Sequence, residues 1–146
     1  MPVFVDTNVL VYAKDTTQPD KQPQARAWLD SLWERRDGHL SFQVLSEYYM
    51  NVTRQLKPGL DETSARAEVR DLLAWRPVTT NTLILEDAWA VADRYGFALW
   101  DALIVASARH AACDLLLTED LQHGQELDGI RVVSPFRMRP EERLRR

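Results

Sequence analysis

Four acidic residues stand where a fold could gather them. Asp6 follows the apolar triplet Val3-Phe4-Val5, and Asp120 follows Leu115-Leu116-Leu117 by three residues. Asp101 lies near the start of the apolar stretch from Leu99 to Ala112, and Glu47 interrupts the stripe Val44, Leu45, Tyr48, Val52. A carboxylate on a core-facing stripe is unfavourable unless it is paired, hydrogen-bonded or metal-bound. Clustered carboxylates raise one another's pKa, and Mg²⁺ or Mn²⁺ would offset their charge through oxygen ligands. Two such ions about 3.5–4 Å apart can activate a water and stabilise the leaving oxygen in phosphodiester cleavage. Each residue also has a structural reading: Asp6 and Asp101 as helix caps, Glu47 as the partner of an arginine, Asp120 as a turn residue. His39, His110 and His123 are scattered without zinc-ligand spacing and read as surface or structural residues.

Apolar periodicity supplies the elements that would position these groups. Val3–Val5, Leu115–Leu117 and Arg131–Val133 read as short buried strands, with His39–Phe42 and Pro77–Thr79 as further candidates. After the loop Thr16–Gln22, a helix opens at Pro23, carries Ala25, Trp28, Leu29, Leu32 and Trp33 on one face, and stops at Gly38. The stripe Val44–Val52 ends at Pro58-Gly59. Asp61 and Asn81 cap the next two helices, the second of which ends at Gly96. Leu99–Ala112 is apolar on nearly every side and reads as a central helix. Short apolar strands separated by helices predict a parallel sheet covered on both faces, a three-layer α/β/α domain. Ligands of such sheets bind beyond the carboxyl ends of the strands. That places Asp6, Asp101 and Asp120 at one edge.

A chain of 146 residues, 45% hydrophobic and 27% charged, predicts one domain with a sizeable core and excludes disorder. No apolar run approaches the roughly 18 residues that span a bilayer. The start, Met1–Asp6, has no basic region and excludes a secretory signal in the chain as written. The single cysteine, Cys113, reads as a small buried residue and fits a reducing cytoplasm. The net charge of −4 is uneven: the last ten residues carry five Arg and two Glu, which leaves −7 on the rest. The chain therefore divides into an acidic domain, residues 1–136, and a basic tail, residues 137–146. An acidic body is not the usual footprint of a tight nucleic-acid binder, but it suits a carboxylate site for divalent cations.

Five stretches together resemble PIN-domain ribonucleases, and among them the toxin subunits of type II toxin–antitoxin modules, the VapC group. They are Val5-Asp6-Thr7-Asn8-Val9-Leu10, Leu40–Tyr48, Leu99–Ile104, Leu116–Gly124 and Gly129–Phe136. The resemblance runs from Val3 to Phe136. It implies a five-stranded parallel sheet and an acidic quartet at Asp6, Glu47, Asp101 and Asp120. Asp6 and Asp101 would be the main ligands of Mg²⁺ or Mn²⁺, with Glu47 and Asp120 nearby. Thr7, Asn8 and Thr118 match residues that position the carboxylates and the metal's waters. The implied activity is metal-dependent cleavage of RNA. The implied partners are a small antitoxin that blocks the cleft and a second copy of the chain. Trp28 and Trp33 could offer the antitoxin a groove or belong to the core. Ser134 departs from the Asn that many relatives carry before Pro-Phe, at a position remote from the quartet. The arginines of the tail could be solvated or could hold RNA phosphates.

Three other readings compete. A DNA or structure-specific nuclease on the same fold lacks the added DNA-binding elements in so short a chain. A non-catalytic scaffold that binds RNA or a partner has no use for the quartet. An aspartate-based phosphatase with Asp6 as nucleophile wants a second Asp two residues on, where Asn8 stands.

Overall fold

The computed structural model describes residues 1–144. Strand β1 (Val3–Val5) is followed by helices α1 (Thr7–Tyr12) and α2 (Lys21–Arg35), strand β2 (Gly38–His39) and helix α3 (Phe42–Met50). Helix α3 runs on through a π-helical turn, Asn51–Gln55, before α4 (Glu62–Leu72), α5 (Thr82–Tyr95) and α6 (Leu99–His110). Strands β3 (Leu115–Leu117), β4 (Glu126–Leu127) and β5 (Ile130–Val133) then precede a 3-10 turn at Pro140–Leu144. The sheet has five strands in the order β2-β1-β3-β5-β4. Every residue of β1 and β3 is buried. Successive strand residues point to opposite faces, so both faces of the sheet are covered, as the apolar triplets predict. Helices α1–α4 associate with one another, while α5 pairs with α6, which packs on β3 and β5.

Four strands are parallel, but β4 is antiparallel to β5, which corrects the expectation of a wholly parallel sheet. The reason is local. Asp128 (φ 52°) and Gly129 (φ 97°) are both left-handed, as a tight two-residue hairpin requires. Asp128 is also held by Arg94 of α5 at 3.2 Å and Arg109 of α6 at 3.6 Å.

Other boundaries shift for equally local reasons. The helix expected from Pro23 begins at Lys21. It ends at Arg35, with Arg36 left-handed at its C-cap, so Gly38 is not its stop signal. Gly38 instead answers a packing constraint, since a Cβ there would lie 2.7 Å from the Trp75 ring. The strand expected over His39–Phe42 shrinks because Ser41 caps α3, accepting from the Val44 N–H at 3.2 Å. Pro77–Thr79 supplies only a bridge between Val78 and Ser41. The caps at Asp61 and Asn81 stand as expected.

Trp28 and Trp33 divide. Trp28 is fully buried and donates from Nε1 to the Met138 carbonyl at 2.9 Å, so it belongs to the core. Trp33 is 49% exposed. The same packing draws in the C-terminal segment. Arg143 is only 2% exposed and donates to Asp37 Oδ2 at 3.2 Å and to the Met1 carbonyl at 3.5 Å. It is therefore a tether rather than a solvated cation of the tail. Arg145 and Arg146 lie outside the described residues.

Removing one partner of a buried charge pair leaves the other desolvated, which costs about 2 kcal/mol or more. Arg143→Ala is expected to lower the midpoint of thermal unfolding by about 4–8 °C. A melting curve followed by circular dichroism checks this, and an unchanged midpoint contradicts the tether.

Candidate active site

Asp6 is the first residue beyond β1. Its backbone N–H continues the ladder to the Leu117 carbonyl at 3.0 Å, and its Oδ1 accepts the Thr7 N–H at 2.7 Å, capping α1. Thr118, the residue after β3, donates its hydroxyl to Asp6 Oδ2 at 2.9 Å. The parallel register Val5↔Leu117 thus sets Asp6 beside Thr118. Thr118 Oγ1 also accepts the Asp120 N–H at 3.1 Å. The Asn8 carboxamide spans the gap between the two strand ends. Its Nδ2 lies 3.3 Å from Asp6 Oδ2, 3.1 Å from Thr118 Oγ1 and 3.1 Å from Asp120 Oδ2, while its Oδ1 accepts the Glu119 N–H at 3.2 Å.

Glu47 projects from α3 into this network. Its Oε2 accepts the Thr7 hydroxyl at 3.1 Å, and its Oε1 accepts Gln43 Nε2 at 2.9 Å. Among the described residues no arginine pairs with it. Helix α3 is itself anchored by the adjacent Tyr48, whose hydroxyl donates to Glu68 of α4. The other Glu68 oxygen takes Lys14 at 2.5 Å. Asp101 lies in the first turn of α6, half-buried, with Ala98 at the N-cap position, so it is not the cap of its helix. Among the described residues it accepts no hydrogen bond, and it feels the charges of Asp120 and Glu47.

Electrostatics confirm the gathering. Burial, opposed by the hydrogen bonds from Thr118 and Thr7 and reinforced by Asp120 and Glu47, pushes the Asp6 carboxyl up to about 6. Asp101 is raised by burial and then by the same two carboxylates. Structure therefore brings all four acidic candidates and all three polar candidates to one edge. An open cleft of about 400 Å³ exposes Thr7, Asn8, Glu47 and Asp120 together with Tyr12 and Asn51.

Sequence reasoning missed Gln43, Asn51 and Tyr12. Gln43 could have been found from its i,i+4 spacing to Glu47. Asn51 follows from the same helical face, and its Nδ2 donates to the Glu47 carbonyl at 2.8 Å. Tyr12 carried no local signal. It meets Phe136 edge-on at 5.2 Å and lies under Lys21, which pairs with Glu119 at 2.7 Å. His123 is structural: its Nδ1 accepts the Ser134 N–H at 3.0 Å.

The donor set consists of hard oxygens, the chemistry that suits Mg²⁺ or Mn²⁺. Among the described residues no group of three or more His, Cys, Asp or Glu side chains stands close enough together to hold a metal ion as placed.

A mostly parallel sheet with carboxylates clustered beyond its strand ends defines an α/β domain with an acidic cleft at the carboxyl edge of its sheet. The sequence profile described as the PIN domain matches residues 3–125, and the chain belongs to that family. PIN domains are generally nucleases and typically use divalent metals. A chain from a toxin–antitoxin complex of Klebsiella pneumoniae has the same fold, with a TM-score of 0.67 at 20% identity over 92% of this chain and 98% of that one. None of the curated protein sequences matches. Among the described residues, no helix is long and apolar enough to cross a membrane.

The raised Asp6 carboxyl predicts a pH signature. Its folded value of about 6 exceeds the ordinary 3.8, so between these values the folded chain binds more protons than the unfolded one. Stability then falls as pH rises through this window, by at most about 3 kcal/mol. Asp6→Asn in chelator is expected to be more stable than the parent at pH 7 and equal to it near pH 3.5. Urea unfolding at both pH values tests this, and the same difference at each would contradict it.

Proposed function

We propose that this chain is a metal-dependent endoribonuclease acting as the toxin of a type II toxin–antitoxin module. The observation that carries the reading is the set Asp6, Glu47, Asp101 and Asp120 at the carboxyl edge of the sheet, with Asp101 left free of hydrogen bonds among the described residues. Bound Mg²⁺ or Mn²⁺ would supply charge neutralisation and activation of water for attack on phosphorus. Asp6, Asp101, Glu47 and Asp120 would hold it.

The protein's own groups do the positioning. Thr118 and the Thr7 N–H fix both Asp6 oxygens. Thr7 and Gln43 fix both Glu47 oxygens. Asn8 ties Asp120 to the same frame. Asp101, on a helix buried along its length from Ala102 to Ala108, has its oxygens available to orient a water or accept its proton.

An inhibitory protein partner is supported by an apolar groove of about 460 Å³ between α3 and α4, bordered by Phe42, Leu45, Tyr49, Met50, Val69 and Leu73. It takes the place of the groove expected at Trp28 and Trp33. The structural neighbour was solved as a toxin–antitoxin complex. An antitoxin arginine reaching the cleft could engage two carboxylate oxygens at once and compete with metal. Exposed Leu83 and Trp89 on α5 and Trp100 on α6 supply apolar area for a homodimer. The RNA substrate and a cytoplasmic location belong to the same reading.

Purified protein free of antitoxin is expected to cleave RNA with Mg²⁺ or Mn²⁺ and to stop in excess EDTA. Asp101→Asn is expected to lose on the order of 10²-fold or more in rate while keeping its circular dichroism spectrum. Robust cleavage in EDTA, or a parental rate for Asp101→Asn, overturns the assignment.

A further inference from the structure

A cavity of about 620 Å³ lies around the amino-terminal end of β2, and none of the four carboxylates lines it. Its walls are Trp33 and Arg36 at the end of α2, Gly38 and His39 of β2, and Trp75 and Arg76 after α4. The two indoles sit 5.8 Å apart, inclined at 41°, with Trp33 half exposed. Gly38 is what lets the Trp75 ring lie against the backbone.

Two separate segments each place an arginine at this cavity in left-handed backbone: Arg36 at φ 59° and Arg76 at φ 51°. Neither arginine forms an ion pair among the described residues. The nearest acidic group in sequence, Asp37, is already engaged by Arg143 and the N-terminus. His39 is half-buried and held below its ordinary pKa by burial and by Arg76, so at neutral pH it offers one donor and one acceptor. This pocket concentrates positive charge on a domain whose net charge is negative.

We infer that the cavity formed by Trp33, Arg36, His39, Trp75 and Arg76 is a second binding site for single-stranded RNA, taking one nucleotide of the strand that the acidic cleft cleaves. Exposed aromatic rings stack on any base, and guanidinium groups neutralise its phosphates. The volume suits a nucleotide. An acidic peptide would match the arginines but leave the Trp33 face unused. The site also answers an electrostatic need. A cleft of four carboxylates repels a polyanion, so a strand entering it needs a basic hold elsewhere. Along the chain, Gly38 to Glu47 spans an extended segment and part of a helix, which separates the two sites by at most about 20 Å. A stacked strand at about 3.4 Å per nucleotide bridges that in roughly six nucleotides.

This inference rests on the ribonuclease reading, and its test separates the two. The probes are 2′-O-methylated single-stranded RNAs of about four and about twelve nucleotides, bracketing that span. Their binding to the full chain is followed by anisotropy across a salt series. The longer probe is expected to bind the parent more tightly. The double variant Arg36→Gly, Arg76→Gly should bind it about tenfold more weakly, erase the difference between the probes, and lower the slope of log affinity against log salt by about 1.4. Glycine relieves the left-handed backbone, so the variant's unfolding midpoint should be unchanged or a few degrees higher, which separates lost binding from lost fold. Trp33→Ala should weaken the longer probe and Trp33→Phe restore it. Parental affinity and slope in the double variant overturn the second site and leave the ribonuclease reading standing if RNA is still cleaved. A parent that binds neither probe and cleaves no RNA overturns both. Weakened binding of a protein partner with RNA affinity intact assigns the cavity to that partner and overturns this inference.

Discussion

Everything at the acidic edge depends on one buried carboxylate. Asp6 sits where β1 ends and α1 begins, almost wholly removed from water, with Glu47 and Asp120 near enough to raise its pKa. A lone buried charge of this kind would be neutralised or expelled. Here the Thr7 N–H and the Thr118 hydroxyl occupy its two oxygens. Thr118 can do so only because β1 and β3 pair in the register Val5↔Leu117. A slip of one residue would turn every side chain of the strand to the other face and break the clamp. Sheet register and site geometry are therefore a single constraint.

The second consequence is a polar division of the molecule. Carboxylates collect beyond the strand ends, and Arg36 and Arg76 collect at the other end of the edge strand β2. The two ends are held in different ways. At the acidic end, hydroxyl and amide donors from Thr7, Asn8, Gln43 and Thr118 do what ion pairs would do elsewhere. Near the basic end, Asp37 is taken up by Arg143 and by the N-terminus, and among the described residues Arg36 and Arg76 form no ion pair.

What the sequence discloses follows from how local each signal is. Val3–Val5 and Leu115–Leu117 are continuous apolar runs that only a doubly covered strand explains, so the edge they define could be named in advance. Asp6 followed at once. Glu47 could be suspected because a charge on an apolar stripe needs a reason. The β4–β5 hairpin was equally local, written in Asp128-Gly129, but its strands are too short for periodicity to register. Gly38 misled as a helix stop because its real partner, Trp75, is far along the chain. Arg143 misled for the same reason: a terminal arginine reads as solvated until Asp37 and Met1 are known to surround it. Gln43 and Asn51 were within reach through helical spacing to Glu47, whereas Tyr12 acquires its place only from Phe136 and Lys21.

The four carboxylates are not equivalent, and the difference lies in who holds them. Asp6 and Glu47 have both oxygens engaged, Asp120 accepts from Asn8, and Asp101 accepts no hydrogen bond among the described residues. Rigidity runs the opposite way, because Asp101 stands on the most buried helix of the domain. Its backbone is fixed while its side chain is free. An arriving cation would meet three carboxylates already oriented by the protein and one that can turn to it without breaking any bond. Most of the reorganisation is thus complete before the ion binds, and relief of mutual repulsion adds to the attraction. The same arrangement explains why the domain tolerates so acidic an edge: hydrogen bonds hold Asp6, Glu47 and Asp120 in place, and the raised pKa of Asp6 lets a proton relieve part of their repulsion.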